Sequence, residues 1–404
     1  CADLEPVGMV EGNRRSPDPR HFVGVGKLEE IRRVAEETDA ALVVFDHELT
    51  PVQERNLERA IGRRVLNRTQ LILDIFARRA RTHEGKLQVE LAQLSHAATR
   101  LVRGWTHLDR QRGGIGMRGA GEAQIELDQR MISQRIKAIE RQLGKVRSHR
   151  RRSRRSRSRA AVPTVVFVGY TNAGKSSLFN RLTDAGVDAG DRLFATLDPT
   201  LRRLVVPGIG EVVIADTVGF ISRLPHKLVA AFKATLEEVA QAKLLLHVVD
   251  ASSERYAQHM EDVQSVLEEI GAAEVPQLEV FNKIDLLDTC APRTDRDAAN
   301  LPRRAWVSAT CGSGMDQLTY AIAERLGLGE SRELILSPDQ ARLRSWLYDR
   351  RAIIEEHAEC DGSFRVRVRL SEHELERVAS RAGVVLRGVR GTHRMRQSVR
   401  HLEH

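Results

Sequence analysis

At 404 residues the chain is long enough for two or three domains with cores of their own. It has no apolar run of eighteen or more residues, which excludes a membrane-spanning helix, and its four cysteines are too scattered for a disulfide framework or a metal knuckle. The net charge of +9 is concentrated: residues 145–159 hold nine Lys and Arg and no acid, so the rest of the chain is balanced. A run of that sign favours an anionic partner such as RNA. Scattered thiols and few aromatics fit a cytoplasmic protein, with a minor membrane-surface fraction left open by the basic run. The chain begins at Cys1 without Met and shows no leader, so residues are expected upstream.

Residues 1–85 are predicted to form a small α/β subdomain. Residues 41–45 are a short buried-strand candidate. Thr50-Pro51-Val52-Gln53 reads as N-cap, first-turn proline and capping-box glutamine, so a helix starts there. Gly24-Val25-Gly26-Lys27 lacks the full spacing of a phosphate loop and reads as an ordinary turn.

Residues 86–148 are predicted to be an antiparallel helical hairpin. Leu87, Leu91, Leu94, Ala98 and Leu101 recur at alternating steps of four and three, and so do Ile132, Ile136, Ile139, Leu143 and Val146. Between these seams, residues 104–121 carry six glycines together with Trp105, Arg110, Arg112 and Arg118. Glycine lets backbone approach a surface closely and arginine pairs with phosphate, so this tip is predicted to contact RNA through Arg110, Arg112 and Arg118. Residues 149–161 read as a basic low-complexity linker.

Residues 162–330 alternate strand and helix patterns, as in a doubly wound sheet. Residues 169–176, GYTNAGKS, match the P-loop pattern, with an apolar run before and a helical pattern after. A strand feeding a Gly-rich turn and a helix points backbone N–H groups at one spot, where phosphates bind. Lys175 is expected to reach the β- and γ-phosphates and Ser176 to ligate Mg²⁺. Residues 201–206 and 211–215 read as a hairpin at the sheet edge. Asp216-Thr217-Val218-Gly219 follows it; there Asp216 can hold Mg²⁺ through water and the Gly219 N–H can sense the γ-phosphate. Helices are expected at 228–240 and 256–270, and strands at 244–249 and 277–281.

Asn282-Lys283-Ile284-Asp285 ends the last of these strands. The Asp285 carboxylate can accept from guanine N1–H and the exocyclic amine together, a donor pair adenine lacks. Ser308 and Ala309, with Thr310, fit a loop over the guanine O6. Four motifs in this order, each at a strand end, point to a GTPase. The predicted nucleotide site therefore takes Gly169, Tyr170, Thr171, Asn172, Ala173, Gly174, Lys175, Ser176 and Ser177 from the first loop. It adds Asp216 to Gly219, Asn282 to Asp285, and Ser308, Ala309 and Thr310.

From residue 331 to 404 a small α+β domain is expected, with a helix at 339–348 and two strands about Asp361-Gly362. Residues 364–369 alternate Phe, Val and Val with Arg365, Arg367 and Arg369, which predicts one apolar and one basic face.

The stretches at 45–59, 73–94, 101–119, 169–183, 193–203 and 216–238 resemble the HflX GTPases of the Obg-HflX group. The resemblance covers roughly residues 20–330 and thins beyond. It implies a P-loop GTPase preceded by an α/β domain with a helical hairpin. It also implies a partner, the large ribosomal subunit and its rRNA, with splitting or rescue of stalled or stressed ribosomes and the hairpin tip placed near the peptidyl-transferase centre. A monomer is expected when free. Phe194, Ala195, Thr196, Leu197 and Asp198 become a nucleotide-binding switch, in which Thr196 completes the Mg²⁺ shell; Thr200 stays an alternative. Lys175, Thr196 and Gly219 are then the catalytic set. Where the family pattern has a Pro and a Thr after the tip, this chain has Ala120 and Ala123, which removes a stiffening proline and a helix cap.

Ras-type GTPases place a Gln after the Asp-x-x-Gly motif to orient the attacking water; here that position is Phe220. Slow basal hydrolysis, stimulated by the ribosome, is expected. An RNA-binding assembly switch is the alternative, distinguished by binding immature subunits without splitting intact ribosomes.

Overall fold

In the computed structural model the described residues are 4–13, 15–104, 120–159, 162–186, 194, 196, 200–221, 236, 238–287, 290–359, 361–371, 374, 375, 378 and 385–388. The N-terminal unit runs α1 (Val25–Glu37), β1 (Leu42–Phe45), α2 (Pro51–Ile61), β2 (Arg64–Asn67) and α3 (Arg68–Arg79), with β1 and β2 paired in parallel. Local chemistry sets these boundaries. Thr50 Oγ1 accepts from the Gln53 N–H while Gln53 Oε1 accepts from the Thr50 N–H, a closed capping box with Pro51 just inside the helix. Asn67 and Gln70 repeat the device for α3. Helix α1 starts at Gly24 without a side-chain cap, and Lys27 is turned onto Glu30 and the Glu11 carbonyl.

Helices α4 (His83–Gly104) and α5 (Ala120–Arg159) pack along the heptad seam. Leu87, Ile139 and Leu143 are buried there, with Leu91 and Leu94 against them, and Arg135 bridges to Glu90 at 2.7 Å. At about 1.5 Å per residue, α5 alone extends roughly 60 Å. It also runs through most of the stretch read as a low-complexity linker, 149–161, a correction to that reading. Arg is a good helix former, and extending a nucleated helix gains one hydrogen bond per residue fixed. Of the predicted tip, 104–121, residues 105–119, with Arg110, Arg112 and Arg118, lie outside the described residues.

The central sheet has seven strands in the order β4-β5-β3-β6-β7-β9-β8. These are β3 (Thr164–Gly169), β4 (Thr200–Val206), β5 (Gly210–Asp216), β6 (Leu244–Asp250), β7 (Gln277–Asn282), β8 (Arg293–Arg296) and β9 (Pro302–Trp306). Only β4 and β8, at the two edges, run antiparallel to their neighbours. Interior strands β3 and β6 are buried on both faces, which explains their near-continuous apolar runs. Helix α6 (Lys175–Thr183) follows the P-loop, α7 (Tyr256–Glu269) lies between β6 and β7, and α8 (Met315–Arg325) follows β9. Of the helix expected at 228–240, residues 236 and 238–240 are described, and they are helical. One buried cluster joins Ile72, Ile75 and Phe76 of α3 to Val218 and Phe220; Phe76 and Phe194 meet edge to face at 4.6 Å.

The C-terminal sheet has the order β11-β12-β10-β13, from β10 (Leu328–Leu336), β11 (Ile353–Ala358), β12 (Phe364–Ser371) and β13 (Val385–Gly388). Val366, Val368 and Leu370 pack on Leu334, Leu336 and Leu347, the last on α9 (Ala341–Asp349). The basic face expected from residues 364–369 is largely neutralised. Arg367, opposite Glu333 and Glu355 in the register, pairs with Glu355, while Arg365 reaches diagonally to Glu333 and to Glu359 just past β11. This domain grips the far end of the β4–β5 hairpin: Gly208 N–H donates to the Arg350 carbonyl, and Arg350 Nη1 donates to the Ile209 carbonyl.

Candidate functional site

The loop joining β3 to α6 sits at the carboxyl end of the sheet, where open α/β folds bind ligands. Its shape depends on glycine. At Gly169, φ is 147° and a Cβ would come within 2.3 Å of the Val248 carbonyl oxygen; at Gly174, φ is 90° and a Cβ would strike Asn282 Nδ2 at 2.1 Å. Asn172 adds a third left-handed position, φ 62°. The loop is tied to the segment after β5, since Thr171 N–H donates to the Phe220 carbonyl and Phe220 N–H to that of Gly169.

Lys175 is buried, with Nζ donating to the carbonyls of Gly169 (3.1 Å) and Tyr170 (2.7 Å). Burial pushes its ammonium down to about 8, against the opposing charge of Asp216. An anion placed beside it restores the charged form, so anion binding takes up a proton above that pH. GDP affinity should therefore be flat below about pH 8 and fall above it, approaching tenfold per pH unit. Titration calorimetry between about pH 7 and about pH 9 measures this; a flat profile would take Lys175 away from the phosphates.

Three oxygens converge beside it. Ser176 Oγ and Thr196 Oγ1 lie 2.7 Å apart, and each donates to Asp216 Oδ2, at 2.7 and 2.8 Å. Asp216 is fully buried, and burial raises its pKa against the pull of Ser176, Thr196 and Lys175. Its second oxygen, Oδ1, is buried without a partner. Hard oxygen donors around a carboxylate with an unmet acceptor suit a small divalent cation such as Mg²⁺. Thr200 instead opens β4, paired with Asp216 in the ladder. Gly219 is crowded: a Cβ would lie 3.0 Å from Lys175 Nζ and 2.9 Å from Thr171 Cα. Thr217 Oγ1 donates to the Phe167 carbonyl, an internal brace. Phe220 is 2% exposed in the core and presents no polar group.

The second half of the site is built on β7 and the loop after β9. Asn282 braces both sides, Oδ1 accepting from Ala309 N–H at 3.0 Å and Nδ2 donating to the Ala173 carbonyl at 3.0 Å. Asp285 accepts from Ser308 Oγ at 2.5 Å, and Ile284 N–H donates to the Val307 carbonyl. The structure thus brings together the residues predicted on the 169–177, 216–219, 282–285 and 308–310 segments, with Phe194 and Thr196. Ala195, Leu197 and Asp198 lie outside the described residues. Two participants carry no motif of their own. Arg181 on α6 donates to the Thr310 carbonyl at 3.3 Å, and Asp250 pairs with Lys283 at 2.8 Å. The position of Asp250 at the end of a parallel strand was the available signal.

Four family models match the chain: "GTP-binding GTPase N-terminal" over residues 1–77, "GTP-binding GTPase Middle Region" over 79–157, "50S ribosome-binding GTPase" over 164–283 and "HflX C-terminal domain" over 295–389. The GTPase HflX of Escherichia coli is 57% identical over 370 residues, covering 91% of this chain and 87% of that one. The GTPase HflX of Caldanaerobacter subterraneus is 46% identical over 356 residues, 88% of this chain and 82% of that one. A crystal structure of a GTP-binding protein from Sulfolobus solfataricus in complex with GDP is 23% identical, covers 78% of this chain and 88% of that one, and has a TM-score of 0.41. With motifs, domain models and identity over nine-tenths of its length in agreement, the chain belongs to the HflX family of GTPases.

Proposed function

We propose that this GTPase works on the large ribosomal subunit, using GTP to time the action of its helical arm in splitting or rescuing stalled ribosomes. The observation that carries the reading is the arm itself. Helix α5 ends at Arg159, close in sequence to β3, the strand that delivers the P-loop, so the arm's base and the nucleotide site share one short connection. Residues 145–159 give the inner end of α5 nine basic residues for rRNA phosphates.

In the GTP site, Lys175 neutralises the β- and γ-phosphates and the loop N–H groups cradle them. Ser176 and Thr196 would hold Mg²⁺ directly, and Asp216 through water; the ion, when bound, offsets phosphate charge. The Gly219 N–H faces the γ-phosphate. With Phe220 buried where other GTPases orient water, this chain leaves that task to the partner, which makes basal hydrolysis slow and the ribosome its activator. GTP turnover of the full chain with and without purified large subunits tests the reading. Stimulation on the order of 10³-fold supports it, since partner-supplied groups are worth that elsewhere; equal rates would refute it.

Asp285 reads the base. Asp285→Asn should shift preference from GTP towards XTP, because xanthine carries a carbonyl where guanine carries its amine. Competition binding with the two nucleotides checks this, and an unchanged ratio would move base recognition elsewhere.

A further inference from the structure

Asp250 belongs to none of the nucleotide-binding motifs, yet every oxygen of its carboxylate is committed. Oδ1 accepts from the Ser252 N–H at 3.0 Å and from Ser252 Oγ at 2.6 Å; Oδ2 accepts from Lys283 Nζ at 2.8 Å. Burial alone would raise its pKa, but Lys283 and Ser252 more than offset this and hold the carboxyl below its usual range. It is therefore a fixed negative charge at neutral pH.

Its partner sits in an unusual backbone. Lys283 has φ 65°, the left-handed region that costs a side-chain-bearing residue energy and persists only when its surroundings hold it. Those surroundings are on both sides: Ala251 N–H donates to the Asn282 carbonyl at 2.9 Å, and Ile284 N–H to the Val307 carbonyl at 3.3 Å. The backbone of Lys283 is thus pinned between Asn282 and Asp285, and Asp250 pins the far end of the side chain. A free lysine stem has four rotatable bonds, and freezing it on ligand binding costs affinity. A stem held beforehand does not.

We infer that Asp250 is a positioning residue for guanine-nucleotide binding: by clamping the Lys283 ammonium it holds the lysine stem as a preformed wall of the site whose base Asp285 reads. The inference rests on the base-loop reading of Asp285 and is independent of any ribosomal partner. Both carboxylate oxygens of Asp250 are taken by Ser252 and Lys283, so it acts on affinity rather than on the chemical step.

The test uses the full chain with fluorescently labelled GDP as probe and unlabelled GDP and IDP as competitors. Asp250→Asn keeps the shape and removes the charge; Asp250→Ala removes both. Each should weaken GDP binding about tenfold, mainly through faster release, with kcat at saturating GTP within about twofold of wild type. The GDP-to-IDP ratio should stay as in wild type, because the wall does not read the exocyclic amine. Lys283→Met should show the same loss, and the double variant should be no worse than Lys283→Met alone. Wild-type affinity in either Asp250→Asn or Lys283→Met would overturn the clamp. So would additive losses, or a fall in kcat with KM unchanged. If neither Asp250 variant folds, the Lys283→Met result decides, since wild-type binding without the ammonium leaves Asp250 nothing to position. Asp285→Asn in parallel separates the two readings. A shifted base preference there, with no effect at Asp250, defeats the clamp alone, whereas an unshifted preference defeats the base-loop reading.

Discussion

Lys175→Ala and Ser176→Ala should each lower kcat/KM for GTP by on the order of 10²–10³-fold, the scale seen when one preorganised charge-stabilising group is removed from a water-excluded site. For Lys175 the reason is visible without nucleotide. The ammonium is buried, satisfied by two loop carbonyls, and already loses charge near pH 8. A buried ammonium is costly, and phosphate charge placed beside it offsets that cost. For Ser176 the reason is the triangle with Thr196 and Asp216: without its hydroxyl, one oxygen donor leaves the site proposed for Mg²⁺ and Asp216 loses a hydrogen bond it needs. The loop keeps its glycines and its backbone bonds to Phe220 in both variants, so circular dichroism melting should show both folded. Malachite-green phosphate release gives the rates. Turnover of folded Ser176→Ala within tenfold of wild type would sink the metal assignment.

Replacing residues 105–120 by a short Gly-Ser linker should abolish the ribosome splitting proposed above while leaving GTP affinity and basal hydrolysis intact. The hairpin's packing residues, Leu87, Ile139 and Leu143, are remote from the replaced segment, and the Arg135–Glu90 pair ties the same two helices. The proposed GTP contacts all come from residue 169 onward. Light scattering of intact ribosomes with GTP, wild type beside the loop-replaced chain, reads the effect. Stimulation of hydrolysis should fall less than splitting, because the nucleotide domain keeps its own surface. Equal splitting by both proteins would remove the tip from the mechanism and shift attention to the C-terminal domain, whose hold on the Gly208–Ile209 turn reaches the nucleotide site through β4 and β5.

The sequence by itself determined whatever depends on near neighbours. The capping box at Thr50 and Gln53 needs only residues three apart, and the seam from Ile132 to Val146 needs only helical periodicity. The P-loop is legible because Gly169, Gly174, Lys175 and Ser176 stand at fixed spacing within one short segment, with positive φ at both glycines. The order of four motifs at strand ends carries the GTPase reading because parallel strands deliver their carboxyl ends to one edge. Tertiary structure alone decided what depends on which strands become neighbours. Arg365 and Arg367 alternate as a basic face in sequence, yet β10 and β11 bring Glu333 and Glu355 against them and cancel it. The Thr196 hydroxyl bonds Ser176 and Asp216, while Thr200 pairs with Asp216 in the ladder, and Phe76 of the first domain meets Phe194. Asp250 finds Lys283 only because β6 and β7 end side by side, their last residues paired as Asp250 and Asn282. Each of these contacts joins residues more than ten positions apart, and its energy is realised only after the chain between them has folded.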